Sequence, residues 1–319
     1  MPLNEPLPPA LTESSFTTEE GRRLGLTARR LAREDLISPS RGIRTPELAR
    51  EGLLQRARPY TALHRTTALS HLSAAAVHHI PLPAWAEDAA QFDLSRAAAA
   101  EPGAKERLGQ PRRPEVRGHR LRLRDDEVVV IRGTRVTTAE RTWLDLCGIR
   151  RLTLEDVIVA GEYLVSQHAR TYYPRTAIVP LTALRAFVAS RHRVVGLGRA
   201  RIALELLAVG VDSPQESRLR QMLERAGLPR FIPNCPVTDP WGVTHWVDIG
   251  SPAFRVAVEY EGEHHFLSNE QRAHDAARDR SARAAGWIQV KITKEDMAEG
   301  EAFVVAKVLA ALRAHGYRG

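Results

Sequence analysis

Val256-Ala257-Val258-Glu259-Tyr260-Glu261-Gly262-Glu263-His264-His265, preceded by Trp246-Val247-Asp248 and a turn, is the stretch whose pattern decides the fold. Val256 to Val258 are strand-like, and the period of two in a strand sends Glu259 and Glu261 to one face, roughly 7 Å apart. Asp248 lies on the preceding strand, across Gly250-Ser251-Pro252, so antiparallel pairing can bring its carboxylate beside theirs. Like charges gathered at the end of an apolar strand need a cation or a proton to relieve their repulsion, and oxygen-only ligands favour Mg²⁺ or Mn²⁺. Asp248, Glu259 and Glu261 are therefore the candidate metal ligands, in a site of the kind that performs phosphoryl transfer.

Outward from this stretch, the pattern predicts a domain over residues 211–319. Ser213-Pro214-Gln215-Glu216 reads as a capping box, with Ser at the N-cap, Pro at the first helical position and Glu at the third, opening a helix to about Ala226. Strands follow at Pro236–Thr238, Thr244–Ile249 and Phe254–Tyr260, then a polar-faced helix over Asn269–Ala285, a strand over Trp287–Thr293 and a closing helix over Glu295–His315. Helix, three antiparallel strands, helix, strand, helix implies one mixed sheet flanked by helices.

At the other end, Phe16-Thr17-Thr18-Glu19-Glu20 opens a capped helix, Leu24-Gly25-Leu26 turns, and Thr27 to Arg33 gives a second short helix. Leu36 to Arg44 reads as a hairpin turning at Ser40 to Gly42. This is the spacing of a winged helix-turn-helix over residues 10–47, which would put Arg29, Arg30 and Arg33 on or beside the recognition helix and Arg41 on the wing. A solvated Arg face on a small helical interaction module is the plainer alternative.

Residues 48–210 read as a middle α/β region with less chemistry. Thr66 to His79 is an Ala-rich helix ended by Ile80-Pro81-Leu82-Pro83, and Pro102 to Pro114 is a polar linker. Arg120, Arg122 and Arg124 alternate with Leu121 and Leu123, predicting a strand cationic on one face, suited either to a phosphate backbone or to guarding a sheet edge. His64, His71 and His78 recur every seven residues without carboxylate or thiolate partners in the pattern, which reads as packing or surface.

Composition sets the outer bounds. The 319 residues are 43% hydrophobic, enough for two or three ordinary cores, and the whole reads as an α+β multidomain protein. Met1 to Pro9 lacks a cationic start and an apolar core, and no later run reaches membrane length, so a cytoplasmic protein without a membrane partner is expected. Cys147 and Cys235 are isolated, which excludes a thiolate zinc cluster within the chain. Residues 211–319 carry 14 basic against 15 acidic residues, so the net charge of +8 belongs to the first two-thirds, a field that favours polyanions such as DNA. Only Lys105, Lys291, Lys294 and Lys307 are lysines; arginine abundance of this kind accompanies a GC-rich coding genome and is discounted as a sign of function.

Asp248, Glu259-x-Glu261-Gly262-x-x-His265, Gln271-x-x-x-Asp275-x-x-Arg278 and Gly286-Trp287 together resemble the very-short-patch-repair-like branch of the PD-(D/E)xK nucleases, over roughly residues 213–312. The resemblance implies a restriction-endonuclease-like core in which Asp248 and Glu259 bind divalent metal, with His265 and the Gln271, Asp275 and Arg278 helix lining the same site. Two departures stand out. Glu261 occupies a position that is usually Asp in this branch and Lys elsewhere in the superfamily, leaving Lys291 as the nearby lysine, and the structural zinc cluster of the mismatch-repair enzymes is absent. Phe16-Thr17, Gly25-Leu26, Gly42-Ile43, Ile80-Pro81-Leu82-Pro83 and Thr137-Thr138-x-x-Arg141-Thr142-x-x-Asp145-Leu146 are similar to proteins that carry the winged helix of AbiEi antitoxins. That similarity implies operator binding and autoregulation, with a toxin or defence-system partner left open.

The expected activity is hydrolysis of a phosphodiester, with Mg²⁺ or Mn²⁺ held by Asp248, Glu259 and Glu261, and Lys291 or Arg278 offsetting developing charge. Glu216 joins as an acidic helix residue, although a capping box alone would account for it. His265 serves as a general base or simply bonds a carboxylate, and Asp275 with Arg278 reads equally as a surface ion pair. Gln271, Arg278 and the N-terminal arginines are the candidate nucleic-acid contacts. A non-catalytic regulator that keeps the nuclease fold as a scaffold is the alternative, and DNA and RNA are not separable as substrates.

Overall fold

The computed structural model describes residues 6–64, 66–87, 91–97, 111–121, 123–170, 174–262 and 279–319, and these mix helices with three β-sheets. The chain divides into two compact units, residues 1–152 with 186–201, and residues 153–185 with 202–319. No helix among the described residues is long and apolar enough to cross a membrane.

The first unit opens with a three-stranded sheet in the order β1 (Phe16–Thr17), β3 (Ile43–Pro46), β2 (Leu36–Ile37). Helices Thr18–Arg23 and Ala28–Leu31 lie between β1 and β2 in the chain. Each starts on a threonine whose hydroxyl accepts the amide three residues on, Glu20 for Thr17 and Arg30 for Thr27, so one orphan N–H at each helix start is satisfied. Gly25 makes the turn between them at φ 89°, which a side chain would resist. The second helix stops at Leu31, two residues short of the expected Arg33. Leu11, Phe16, Leu26, Leu31 and Leu36 close a small core of their own.

The second sheet of this unit runs β6 (Val116–Leu121), β5 (Phe92–Ala97), β4 (Thr67–Leu69), β8 (Thr134–Thr137), β7 (Val128–Ile131). Two expectations are corrected here. The Ala-rich helix begins at His71, not Thr66, because Thr67–Leu69 is fully buried as the central strand, pairing β5 on one side and β8 on the other. Tertiary pairing overrides the helix propensity of the alanines that follow. The cationic strand ends at Leu121, Arg122 lies outside the described residues, and Arg124 instead precedes the 3₁₀ turn Asp125–Glu127. The linker expected over Pro102–Pro114 lies mostly outside the described residues.

The second unit holds a four-stranded mixed sheet in the order β12 (Ile288–Thr293), β11 (Val256–Glu261), β10 (Thr244–Ser251), β9 (Ile232–Thr238). β9, β10 and β11 are antiparallel neighbours, and β11 and β12 are parallel, so the chain crosses over between the last two. One face carries Ile249, Val256, Val258, Val290 and Ile292 against helices Pro214–Arg225 and Glu301–Ala314. The other carries Cys235, Val237, Val247 and Ala257 against Ala282. The closing helix is two helices, Lys294–Glu299 and Glu301–Ala314, broken at Gly300, whose φ of 96° no helix accommodates. Of the helix expected over Asn269–Ala285, only residues 279–285 are described, and 279–284 are helical.

Candidate functional site

The carboxylates singled out by the sequence lie where the central hairpin of the second sheet opens. β10 and β11 pair from Ser251 with Val256 through Ile249 with Val258, and the register carried one step further sets Asp248 beside Glu259. There the ladder stops. The amide of Tyr260 donates instead to Asp248 Oδ2 at 2.9 Å, so a side-chain oxygen replaces a main-chain acceptor. Side-chain alternation breaks at the same point. Val247 packs in the core containing Cys235, whereas Ile249, two residues on, packs in the opposite one. Across from Asp248 on β9, Asn234 sits at φ 51°. A strand that changes face within two residues, against a neighbour in left-handed backbone, aims a side chain that a regular strand would align with the rest.

Glu216, on the helix Pro214–Arg225, lies within electrostatic reach of Asp248. The Ser213 hydroxyl accepts the amide of Glu216, as expected, but the returning half of the capping box is absent. The Glu216 carboxylate accepts the amide of Asp212 at 3.0 Å instead of that of Ser213. The helix cap therefore does not account for the whole of this residue. Its carboxyl is pushed up to about 7, first by burial and then by the charge of Asp248. Glu259 is 3% exposed at the end of the apolar strand. A buried acid with a second acid in electrostatic reach binds a proton or a cation more readily than either does in water.

Glu261 and Lys291 form a different pair. Lys291 Nζ lies 2.7 Å from Glu261 Oε1 and 3.2 Å from Asp279 Oδ2, and Asp279 also takes a hydrogen bond from Gln289 at 3.3 Å. The Lys291 ammonium is held above its usual range, first by its bond to Glu261. Lys291 thus faces the carboxylates, and the charge of Glu261 is relieved by an ammonium from the neighbouring strand. His265, Gln271, Asp275 and Arg278 lie outside the described residues.

Asp212, one residue before the cap, is a hub that sequence reading missed. Its carboxylate meets His168 Nε2 at 3.0 Å, Arg175 Nη1 at 3.2 Å, Arg170 Nη2 at 3.5 Å and Asn234 Nδ2 at 3.1 Å. Burial pushes its pKa up, yet the bond from Asn234 and the charges of His168 and Arg170 hold it low overall. Through Asn234 and through its own amide to Glu216, Asp212 steadies both the left-handed kink and the helix start. Its partners are 22 to 44 residues away, which no local pattern reports.

In the first unit, Arg29, Arg33 and Arg41 are exposed, and Arg30 is not. Arg30 is 4% exposed and clasps Asp35 through both terminal nitrogens, at 3.0 and 2.8 Å. The expectation of a DNA-facing Arg30 is corrected accordingly: its fork is spent on a carboxylate five residues on. The hairpin loop is anchored from the larger sheet's side, where Arg113 Nη1 donates to Ser40 Oγ at 2.6 Å and to the Arg41 carbonyl at 2.8 Å. Of the evenly spaced histidines, His78 Nε2 meets the Thr137 carbonyl at 2.7 Å, and His71 lines a cavity.

All the candidate metal donors are carboxylate oxygens, the ligand type of a hard divalent cation. Among the described residues, no group of three or more His, Cys, Asp or Glu side chains is arranged to hold a metal ion; the arrangement brings Asp248 and Glu216 within electrostatic reach and sets Glu259 next to Asp248 in register. No protein-family model matches this chain, and neither curated proteins nor solved structures yield a match.

Proposed function

We propose that the second unit is a divalent-metal-dependent endonuclease domain of the restriction-endonuclease-like kind and that the first unit delivers it to DNA. Glu216 within electrostatic reach of Asp248, at the point where the β10–β11 ladder opens, carries this reading. A fold that only needed strand ends would not set one half-buried acid in the field of another, with its pKa raised to about 7. Asp248 and Glu259, neighbours in register, would hold Mg²⁺ or Mn²⁺, with Glu216 in electrostatic reach and Glu261 as outer carboxylates. When bound, the ion supplies Lewis acidity to the scissile phosphodiester.

The protein's own groups do the rest. Asp248 is oriented by the Tyr260 amide, and Glu216 by the Asp212 amide, so neither carboxylate must reorganise to receive charge. Lys291 stands on the strand beside Glu259, at its register position, and its ammonium can turn from Glu261 to a phosphate oxygen. In the first unit, the helices Thr18–Arg23 and Ala28–Leu31 with the hairpin β2–β3 would act as a winged helix-turn-helix, with Arg29, Arg33 and Arg41 on the phosphate backbone.

A second reading has its own observation. Lys291 is already committed to two carboxylates, as in a structural ion pair, and this favours a regulator that binds DNA through the first unit and retains the second as a scaffold. Nicking of supercoiled plasmid in Mg²⁺ and in Mn²⁺ separates the two. Cleavage by the parent, lost in both Asp248→Asn and Glu259→Gln prepared identically, is the expected result. Absence of cleavage together with salt-sensitive operator binding would assign the regulator.

A further inference from the structure

The five-stranded sheet of the first unit ends on β7, Val128-Val129-Val130-Ile131, which pairs β8 on one side and no described strand on the other. The other sheet edges among the described residues are guarded. β6, at the far end of the same sheet, carries Arg117 and Arg120, β9 carries Pro233 and Pro236, and β12 carries Lys291, while β1 and β2 are two residues long. β7 has neither a charge nor a proline in its four residues, and Val129 is 39% and Val130 64% exposed.

The ladder fixes which polar groups this edge presents. The Thr138 amide donates to the Glu127 carbonyl at 2.9 Å, and the Arg135 amide, across from Val130, turns away to the Thr61 hydroxyl at 3.4 Å. Main-chain groups alternate in direction along an antiparallel strand, so Glu127, Val129 and Ile131 spend theirs on β8, and Val128 and Val130 turn theirs outward. Val128 closes its N–H onto the Asp125 carbonyl, which leaves its own carbonyl and both groups of Val130 on the open edge. Charge of opposite sign flanks the strand: exposed Asp125 and Asp126 before it, exposed Arg132 after it. Arg132 and Gly133 make the two-residue turn to β8 at φ 47° and 76°, so an arginine stands where the backbone favours asparagine or glycine. Among the described residues, neither the Asp126 nor the Arg132 side chain has an ion-pair partner.

We infer that β7 is a dimerisation edge, pairing antiparallel with β7 of a second copy of this chain about a two-fold axis at Val129. In that register the Val130 N–H donates to the partner's Val128 carbonyl and the reverse, and Asp126 stands opposite the partner's Arg132 at each end. A second copy is the occupant because a strand with the same acidic start and cationic end, run antiparallel, meets both charges with their opposites. Two five-stranded sheets become one of ten strands. The contact is short, so the dimer is a weak one that dissociates in the micromolar range. The inference stands whether or not the second unit cleaves nucleic acid.

Sedimentation velocity of the full chain over about 1–200 µM tests it, with a reversible monomer–dimer equilibrium expected. Val130→Lys, an exposed change that sets like charges beside the axis, is expected to weaken the dimer at least about tenfold. Asp126→Arg and Arg132→Asp should each weaken it, and the two together should restore it, because the exchanged charges again meet their opposites; a merely structural role for either residue would show no such rescue. Val129→Cys should link into a covalent dimer under mild oxidation, since residues across the axis at a pair without mutual hydrogen bonds lie closest, and the native Cys147 and Cys235 are buried. A monomer throughout the concentration range, a dimer that Val130→Lys leaves intact, or a double charge exchange that stays as weak as the single ones would overturn the inference.

Discussion

Asp248 Oδ2 lies 2.9 Å from the main-chain nitrogen of Tyr260, one step past the last main-chain pair of the two strands. The carboxylate therefore has two duties, closing the ladder and presenting charge. Replacing it by alanine removes both, so a lost activity in that variant alone would not say which one mattered.

Asparagine separates them, because its amide oxygen can still accept the Tyr260 N–H. Asp248→Asn is expected to unfold within about 1 kcal/mol of the parent, whereas Asp248→Ala should lose about 1–3 kcal/mol by stranding that amide. Both should fail to nick plasmid. Urea denaturation of the two variants beside the nicking assay checks this. Full activity in Asp248→Asn would remove its charge from the mechanism.

Glu216 makes stability depend on pH in a set direction. Its folded pKa of about 7 lies above the ordinary 4.5, so the folded state holds the proton to higher pH than the unfolded chain. Stability from this group is greatest below about pH 4.5 and declines as pH rises toward and through 7, by on the order of 2 kcal/mol. Asp212, held low, titrates below its ordinary range and acts outside this window. Glu216→Gln should flatten the decline between pH 5 and 8 in denaturant unfolding, and Mg²⁺ should offset the decline in the parent only. An equal slope in Glu216→Gln would assign the dependence to other groups.

The N-terminal arginines should divide by burial. Arg29→Ala and Arg41→Ala are each expected to reduce the salt slope of DNA binding by about one ion and to leave stability unchanged within about 0.5 kcal/mol. Arg30→Ala should instead lower stability by about 1–3 kcal/mol and leave the salt slope alone, since its fork serves Asp35. Gel shifts at several salt concentrations and thermal melts report the two effects separately.

Arg141, 1% exposed, joins Glu127 at 3.0 Å and Asp145 at 2.9 Å, and Arg191 meets the other oxygen of Glu127 at 3.2 Å. Removing one member of such a buried set leaves charge uncompensated. Arg141→Met is expected to cost about 3–5 kcal/mol. Urea unfolding of Arg141→Met beside the parent reads that loss.

Much of the second unit was legible from local pattern. The alternation of Val256 to Glu261, the turn before it and the Pro-Glu helix start place four strands and the helix Pro214–Arg225 within a few residues, because a period of two or 3.6 is written in adjacent positions. Asp248 and Glu259 were legible as neighbours for the same reason. The first unit was harder. Thr67–Leu69 follows no strand-length pattern and is a strand only because β5 and β8 flank it.

What the sequence alone determined, then, is which residues can form strands and helices, the mixed order of the last sheet, and the set of acids available at its centre. Partner choice was decided by tertiary structure. Lys291 on Glu261, Arg30 turned inward to Asp35, Asp212 gathering four side chains, and Arg141 set between Glu127 and Asp145 all depend on which surfaces pack. Hydrogen bonds and ion pairs reach only a few ångströms, while the residues that make most of them here are separated by tens of positions in the chain. Only the folded backbone brings those distances together, and the energy of each buried charge is settled by the partner it meets there.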